Sequence, residues 1–406
     1  MTEIIDDQAL PDTDRVLTDW LASPAEATGT IAAEAWRIGE EIAAPVADEV
    51  DSEGRFPVEA VDALRQSGLL AALVPVELGG GGATLVEVAA GIRALAVHCS
   101  SSALVFAMHS VEVYNLVRHG NTPTLRAVID DVVAKGLLLA NANSEVGTGG
   151  DLSRSRCALE DRDGVLHLEK DALAISYGEY AGAIVAIARS NPEAAETDQV
   201  MIVARNEQVT LTRTSEWNAM GLRGTCSNGF HLTADISPDA VFPVPFSVIS
   251  NDGAAQARQI LLSAAWVGLT EAAASRAHAF VRAAARRSIG TLPPSAMRLA
   301  DLEREVQAAR GLLVGSALRY AALDRAGDSQ NAGLMVALRG LKVSTSELAV
   351  KTATAAISIC GMAGFRTDTP FALNRIVRDA HGSIVMVSND RLTSDNAQLL
   401  VARKTV

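Results

Sequence analysis

The chain has 406 residues, of which 49% are apolar and 20% charged, so it can bury a large core in two or three domains. Its formal net charge of −13 argues against non-specific nucleic-acid binding, and no apolar run approaches the roughly 20 residues needed to span a bilayer. The acidic N-terminus does not resemble a secretory signal, so we expect a cytoplasmic protein without a membrane partner. Four scattered cysteines without CxxC spacing indicate reduced thiols and no metal site.

Helical patterns dominate the first third of the chain. Residues 1–26 are acidic and interrupted by proline, and we expect them to form a mobile arm. Beyond the arm, apolar residues recur every three or four positions, which predicts an amphipathic helix: Ile31, Ala35, Ile38 and Ile42. A later stretch that ends at Gly120 is apolar on all sides, which predicts a buried helix. We therefore predict an N-terminal helical domain over residues 27–136.

The pattern changes to short β-rich runs over residues 137–246, separated by Gly, Asn, Asp and Pro. These runs predict antiparallel strands in a small middle domain. Residues 247–406 are again alanine-rich and helical, with long segments at 253–289, 295–325, 332–360 and 370–403. The order helices, strands, helices is not that of a parallel doubly wound sheet. It predicts a mainly α protein with a central β-barrel-like domain and a C-terminal four-helix bundle.

Four local sequences occur in an order that is typical of one family. They are "FPVEAVDALRQSGLLAALVPVELGG", "SEVGTGGD", "GLRGTCSNGF" and the late pair "CGMAGF" and "NRIVRDA". Together they resemble the acyl-CoA dehydrogenase flavoprotein superfamily, which also contains two-component flavin monooxygenases. The resemblance spans residues 30–403 and implies the three-domain fold described above. It also implies a flavin, FAD rather than FMN, and a homo-oligomer that is a dimer or tetramer.

The resemblance assigns the flavin ring to two stretches. The loop "SEVGTGGD" would present backbone N–H groups and a hydroxyl to the ring, and its Gly150 replaces a usual serine. In "LAISYGEYA", Ala174 replaces an aromatic residue, whereas Ser176 keeps a hydroxyl near the position of flavin N5. The implied ring contacts are Asn141, Asn143, Ser144, Gly149, Gly150, Ala174 and Ser176. Glu145 would lie on the substrate side. For both stretches, an ordinary β turn or barrel strand, with Ile175 pointing inward, remains an alternative.

Other parts of the resemblance concern the phosphates and adenine. "RAAARRSIG" resembles the stretch whose arginine reaches the flavin pyrophosphate of a neighbouring subunit, which implies Arg286, Ser288 and Ile289. "SICGMAGF" resembles the turn below the adenine, which implies Ser358, Gly361 and Met362. A solvated basic helix end is the alternative for the first stretch. We expect Arg223 to stabilise its loop through hydrogen bonds to carbonyl groups.

The carboxylate base of the family is absent from its usual positions. Counting from Arg378 places Val387 at the base position, whereas counting back from the C-terminus places Arg391 there, as if one helical turn had been inserted. In members that carry the base on the first bundle helix, the matching residue is Arg258. Arg258 and its neighbour Gln259 are then expected on the substrate side, and Glu271 lies too far along that helix. The candidate replacements for the base are Asp390, His109 and His381.

Three interpretations remain open from the sequence. The first is an FAD-dependent dehydrogenase of an acyl thioester, bound to CoA or to an acyl carrier protein, with an unusual base. The second is a flavin-dependent monooxygenase that receives reduced flavin from a flavin reductase. The third is a non-catalytic flavin-binding member of the family. An electron-transfer flavoprotein would be the partner in the first case.

Overall fold

The computed structural model describes residues 30–287 and 290–402, so the predicted arm lies outside the described residues. Three of the N-terminal helices begin after threonines whose side chains accept hydrogen bonds from the first turn, namely Thr30, Thr84 and Thr122. The last of these helices ends at Gly136, in the left-handed conformation that glycine tolerates. The helices are α1 (Ile31–Ile38), α2 (Ala44–Glu53), α3 (Val58–Gln66), α4 (Leu85–Ala96), α5 (Ser100–His119) and α6 (Pro123–Lys135).

Within residues 30–287 and 290–402, seven strands form two sheets. They are β1 (Leu139–Ala142), β2 (Leu159–Arg162), β3 (Val165–Ile175), β4 (Ala183–Arg189), β5 (Gln199–Arg205), β6 (Val209–Ser215) and β7 (Asn228–Ile236). One sheet has the order β1-β4-β5 and the other has the order β2-β3-β7-β6. The prediction of purely antiparallel strands was wrong at one place, because β1 pairs with β4 in parallel, with Leu139 opposite Ala183. The long segment between β1 and β4 allows this crossover, which no local turn signal reveals.

The described part of the C-terminal region contains the helices α7 (Phe246–Ile249), α8 (Ala255–Arg287), α9 (Ala296–Arg325), α10 (Ala332–Cys360), α11 (Met362–Phe365), α12 (Asn374–Val385) and α13 (Asn389–Ala402). Three of them are long, namely α8, α9 and α10. A fourth is broken into α12 and α13, and two short helices, α7 and α11, complete the region. We had predicted one helix over 370–403. It is instead interrupted at 386–388, where Val387 has a positive φ of 53°. A β-branched residue adopts that conformation only when surrounding contacts hold it.

The predicted fold class is confirmed: helices flank a small central β domain. Helix α8 is the centre of the molecule and packs against α4, α5, α9 and α10. Asp379 of α12 joins all three regions, because its carboxylate accepts hydrogen bonds from Ser100 Oγ of α5 and from the Leu222 amide that precedes β7, each at 2.6 Å. Across the described ranges, no helix is both long enough and apolar enough to cross a membrane.

Candidate active site

Helix α5 places a carboxylate in the middle of the protein. Glu112 has only 1% of its surface exposed, and its Oε2 accepts a hydrogen bond of 3.0 Å from Asn115 Nδ2. Burial raises the pKa of Glu112 to about 7, although the amide of Asn115, the charge of Arg258 and the amide of Asn141 oppose the shift. Asn141 is one of the predicted flavin contacts. Glu112 therefore lies where α5, α8 and the end of β1 meet, with a pKa suited to proton transfer near neutral pH.

Arg258 faces this carboxylate from the first turns of α8. Burial lowers the pKa of its guanidinium, the charge of Glu112 counteracts that effect, and the charges of Arg391 and Arg339 add to it. The side chain keeps some accessible surface, whereas its Nε is buried and has no hydrogen-bond partner among the described residues. No carboxylate oxygen of the described chain lies within 4.0 Å of its nitrogens. Within the described residues, Arg258 is thus a largely buried cation that completes no ion pair.

Three further buried polar atoms around this region have no partner in the described part of the chain. They are Asn115 Oδ1, Asn143 Oδ1 and Gln259 Oε1. Buried polar groups in folded proteins are almost always hydrogen-bonded, and each exception requires a ligand, a water molecule or strain to explain it. Asn143 lies two residues beyond Asn141 and, by strand periodicity, points to the same side. These three unsatisfied acceptors leave capacity for hydrogen bonds from a polar ligand or a water molecule.

Glu145, a predicted substrate contact, is held by groups that follow its loop in the chain. Its carboxylate accepts hydrogen bonds from the Cys157 amide at 2.6 Å and the Arg156 amide at 3.0 Å, and it lies 3.6 Å from Lys170 Nζ. The side chain is 5% exposed. Glu145 therefore fixes the loop 144–151 against the β domain.

Arg391 reaches this same loop from α13. Its Nη1 donates a hydrogen bond to the carbonyl oxygen of Gly150. A Cβ placed on Gly150 would lie 3.0 Å from that nitrogen, and Gly150 has a φ of 77°. Gly150 and Arg391 both differ from the residues that the resemblance leads us to expect, and the two positions are in contact. Arg391 lies where a side chain at residue 150 would begin.

The hydroxyls of the two predicted ring-binding stretches already have protein partners. Ser144 Oγ donates to the Ala174 carbonyl at 3.1 Å, and Ser176 Oγ lies 2.8 Å from Ser227 Oγ. Each hydroxyl oxygen still has capacity to accept a further hydrogen bond. Ile175, the last residue of β3, directly precedes Ser176. It is fully buried and therefore points inward.

A buried lysine holds the break in the fourth bundle helix. Lys342 Nζ of α10 donates to the carbonyl oxygens of Ser383 and Val387 at 2.9 and 3.0 Å and to Asn389 Oδ1 at 2.8 Å. Burial lowers the pKa of Lys342 to about 7, and the charge of Arg391 contributes to that shift. The lysine replaces the hydrogen-bond partners that an unbroken helix would supply, and it thereby sets where α13 begins.

The three predicted bases lie in different surroundings. His109 is fully buried, its Nε2 lies 2.8 Å from the Leu70 carbonyl, and its Nδ1 accepts from the Leu139 amide at 3.1 Å. Both nitrogens are thus engaged by backbone, and burial lowers its pKa to about 4, so His109 has a structural role, contrary to the prediction. Asp390 and His381 are exposed, on the first turn of α13 and in the second half of α12. The structure does not bring these three residues together.

The predicted phosphate and adenine contacts lie at the far end of the bundle. Arg286 is exposed in the last turn of α8, whereas Ser288 and Ile289 lie outside the described residues. Ser358 is exposed near the end of α10, and Gly361 has room for a ligand, since nothing lies within 4 Å of the position of a Cβ. Met362 is 70% exposed.

Two other residues have the environments expected of them. Arg223 donates to the carbonyl oxygens of Asp51 at 2.6 Å and Ala219 at 3.1 Å, which confirms its predicted loop-stabilising role. Glu271 is held by Arg310 and lies 3.4 Å from Arg93, so it is committed to a buried charge network.

Comparison with protein-family sequence models identifies the chain. The acyl-CoA dehydrogenase N-terminal domain matches residues 26–136, and the acyl-CoA dehydrogenase C-terminal domain matches residues 252–385. The chain belongs to the acyl-CoA dehydrogenase superfamily. The predicted family is thus confirmed, and with it a flavoprotein oxidoreductase family whose exact reaction in this chain is a separate question.

Acyl-CoA dehydrogenases of known sequence cover most of this chain. Cyclohex-1-ene-1-carbonyl-CoA dehydrogenase of Syntrophus aciditrophicus is 25% identical over 359 residues, which is 86% of this chain and 84% of the relative. Probable acyl-CoA dehydrogenase FadE25 of Mycobacterium tuberculosis is 27% identical over 349 residues, or 84% and 87% of the two chains.

Solved structures show the same fold. Butyryl-CoA dehydrogenase from Megasphaera elsdenii has a TM-score of 0.80 at 19% identity and covers 97% of this chain and all of its own. Dibenzothiophene monooxygenase (TdsC) from Paenibacillus sp. A11-2 has a TM-score of 0.79 at 18% identity and covers 92% and 98%. Both branches of the superfamily therefore share this architecture.

The residues present are compatible with the flavin of an acyl-CoA dehydrogenase. Asn143 leaves a buried acceptor unpaired at the end of β1, and the backbone at Gly149 is open, with nothing within 4 Å of a Cβ position. Ser144 and Ser176 retain acceptor capacity beside that opening. When bound there, a flavin would supply the acceptor for electrons removed from a substrate.

The sequence analysis missed Glu112 and Asn115. Both lie in "HSVEVYNL", on the helix that we predicted to be buried on all sides. A carboxylate in the middle of such a helix must be buried with a partner or with a raised pKa, and this was the available signal.

Proposed function

We propose that this protein catalyses the flavin-dependent α,β-dehydrogenation of an acyl thioester, with Glu112 as the base that accepts the α-proton. The named relatives support the reaction class, because they are acyl-CoA dehydrogenases that span most of the chain. The single observation that carries the proposal is a buried carboxylate with a pKa of about 7 beside Asn141 and Arg258.

The environment of Glu112 suits this role. A base works best when its pKa lies near the operating pH, because a sufficient fraction is ionised and the driving force for proton uptake is still large. Asn115 fixes the carboxylate on α5 through its 3.0 Å hydrogen bond. Glu112 would take the α-proton. A flavin held by Asn141, Asn143, Ser144 and Ser176 would supply the acceptor for the β-hydrogen and its two electrons, so both hydrogens are accounted for.

Asp390 is the second candidate for the base. It lies in the segment that resembles the family's base-bearing segment, but its side chain is exposed on the first turn of α13. Its neighbour Arg391 reaches toward the loop 144–151 instead. The buried position of Glu112 excludes water from the proton, which is why we favour it over Asp390 and over the exposed His381.

A flavin-dependent monooxygenase is the second candidate function. Both positions where the family carries its base have lost the carboxylate here, since Arg258 occupies one and Val387 or Arg391 the other. TdsC, a monooxygenase, has been solved with bound FMN and shares this fold. In that case a flavin reductase would be the partner, and Glu112 would act as a proton donor or acceptor toward the oxygenated substrate.

We propose FAD rather than FMN as the cofactor and a homodimer or homotetramer as the assembly. The phosphate and adenine contacts would come from Arg286, Ser288, Ile289, Ser358, Gly361 and Met362. Exposed apolar side chains beside Gly361 support a subunit contact there, because Met362 and Phe365 are 70% and 69% exposed.

An electron-transfer flavoprotein would reoxidise the flavin, and the acyl group would be carried by CoA or by an acyl carrier protein.

The test is anaerobic reduction of the purified yellow protein by acyl thioesters. Wild type should lose the visible absorbance of its flavin on mixing with a suitable thioester. Glu112→Gln should slow this step on the order of 10²- to 10⁴-fold while flavin remains bound, which is the usual contribution of a general base. Glu347→Gln, at an exposed position on α10, is the matched control and should behave as wild type.

Two outcomes would reject the proposal. If Asp390→Asn abolishes reduction and Glu112→Gln does not, the base is Asp390. If no thioester reduces the wild-type flavin, but externally reduced flavin plus oxygen yields an oxygenated product, the protein is a monooxygenase.

A further inference from the structure

Among the described residues, Arg258, in the first turn of α8, lacks the carboxylate partner that a buried arginine normally has. Arg258 keeps its charge at every physiological pH, and removing that charge from water is costly unless an anion compensates it. Glu112 is more than 4.0 Å from its nitrogens, and Nε has no partner in the described ranges of the chain. A buried charge without a partner is strongly destabilising, so a bound anion would remove a cost that the protein otherwise bears.

The charges of two other arginines add to the cost of burying the guanidinium of Arg258. Arg391 and Arg339 both act on the guanidinium of Arg258, and Arg391 donates to the uncharged carbonyl of Gly150 rather than to an acid. Arg339 lies 3.6 Å from Asp395, so its charge is partly compensated. Asp151 interacts with the charge of Arg391, and Glu112 interacts with that of Arg258. The pKa of about 7 leaves Glu112 partly protonated near neutral pH.

We propose that the acyl group of the substrate carries a carboxylate and that Arg258 binds it. The inference rests on the proposed function and adds the substrate class: the monothioester of a dicarboxylic acid rather than a simple fatty acyl thioester. A guanidinium matches a carboxylate because its planar fork donates two parallel hydrogen bonds.

Position supports an anion on the acyl group rather than on the carrier. Arg258 is close enough to Glu112 for its charge to lower the pKa of that carboxylate. If Glu112 acts on the α-carbon, then Arg258 lies near the acyl chain. An apolar acyl chain would leave the guanidinium of Arg258 desolvated and without a counter-charge. Arg258 therefore disfavours the binding of a simple fatty acyl thioester.

The test compares ligands of equal length that differ in one charge. Adipoyl-CoA and hexanoyl-CoA both have six acyl carbons, and their dissociation constants can be measured by the shift of the flavin spectrum in the Glu112→Gln protein, in which reduction is slow. Adipoyl-CoA should bind at least about tenfold more tightly, which is the scale of one charge-assisted hydrogen-bonded pair. Succinyl-CoA and butyryl-CoA form a second, shorter pair.

Variants assign the preference to one residue. Arg258→Gln should reduce the preference to within about twofold, and Arg258→Lys should retain part of it. Arg304→Gln, at an arginine of α9 whose side chain is 74% exposed, should leave the preference unchanged. If Arg258→Gln loses its flavin, the lysine variant still reports whether the preference depends on guanidinium geometry.

The outcomes separate this inference from the proposed function. Equal affinity for both members of each pair, or a carboxylate preference that persists in Arg258→Gln, would overturn it. A clear preference without flavin reduction by adipoyl-CoA in wild type would leave the anion site standing and reject the dehydrogenation. Flavin reduction by both ligands, together with equal affinity for them, would do the reverse.

Discussion

Replacement of Glu112 by glutamine should stabilise the protein at neutral and alkaline pH. Burial raises the pKa of this carboxyl from 4.5 to about 7 in the folded protein, because the low-polarity surroundings disfavour the charge. Glutamine has the shape of the protonated acid and no charge to bury. The substitution therefore removes a cost that the protein bears at its proposed catalytic residue, as happens when activity and stability compete.

The magnitude follows from proton linkage. The folded state holds the Glu112 proton more tightly than the unfolded state does, so wild-type stability falls as pH rises through the window from 4.5 to about 7 and is level above it. At about 1.36 kcal/mol for each pH unit, the full loss is about 3 kcal/mol. The Gln variant lacks this loss, so the two proteins should match near pH 4.5 and diverge by that amount above pH 7.

Thermal unfolding at a series of pH values measures the difference. The variant should melt several degrees above wild type at a pH of about 8 and within error of it near the lower end of the window. Glu347→Gln, which changes an exposed carboxylate on α10, should show no such trend. A Glu112→Gln protein that is equal to or less stable than wild type above pH 7 would refute a buried, destabilising carboxylate.

Two further predictions concern the segment that carries Arg391. Lys342→Met should lower the free energy of unfolding by about 1–3 kcal/mol in denaturant titrations, because three buried acceptors lose their donor, whereas Lys351→Met on the exposed side of α10 should have little effect. Gly150→Ala should also destabilise by roughly 1–3 kcal/mol, since it adds a side chain at a φ of 77° beside Arg391. That penalty should shrink in an Arg391→Ala background, and an unchanged penalty would remove the proposed coupling.

The fold could be predicted from the sequence because its signals are local. Alternating runs and helical periodicity depend on residues close together in the chain, and so do the threonine caps and the glycine at 136 that end these elements. The break at 386–388 could not be predicted in this way. It depends on Lys342, which lies more than forty residues earlier and supplies hydrogen bonds that only the folded protein brings near.

The site was less predictable for the same reason. Counting from "RDA" or from the C-terminus gave two different residues at the base position, and the spatial neighbour of the loop 144–151 is Arg391. His109 was proposed as a base on residue type alone, whereas its hydrogen bonds to Leu70 and Leu139 come from distant backbone. Glu112 acquires its pKa from burial between α5, α8 and β1, which no sequence window contains.

The central claim, that Glu112 removes the α-proton of an acyl thioester, is tested most directly by hydrogen exchange at that carbon. Wild type, Glu112→Gln and Asp390→Asn would be incubated anaerobically with a bound thioester in D₂O, and deuterium at the α-carbon would be measured by mass spectrometry. We expect incorporation with wild type and Asp390→Asn, and a loss on the order of 10²-fold or more with Glu112→Gln. Undiminished incorporation with Glu112→Gln would contradict the account.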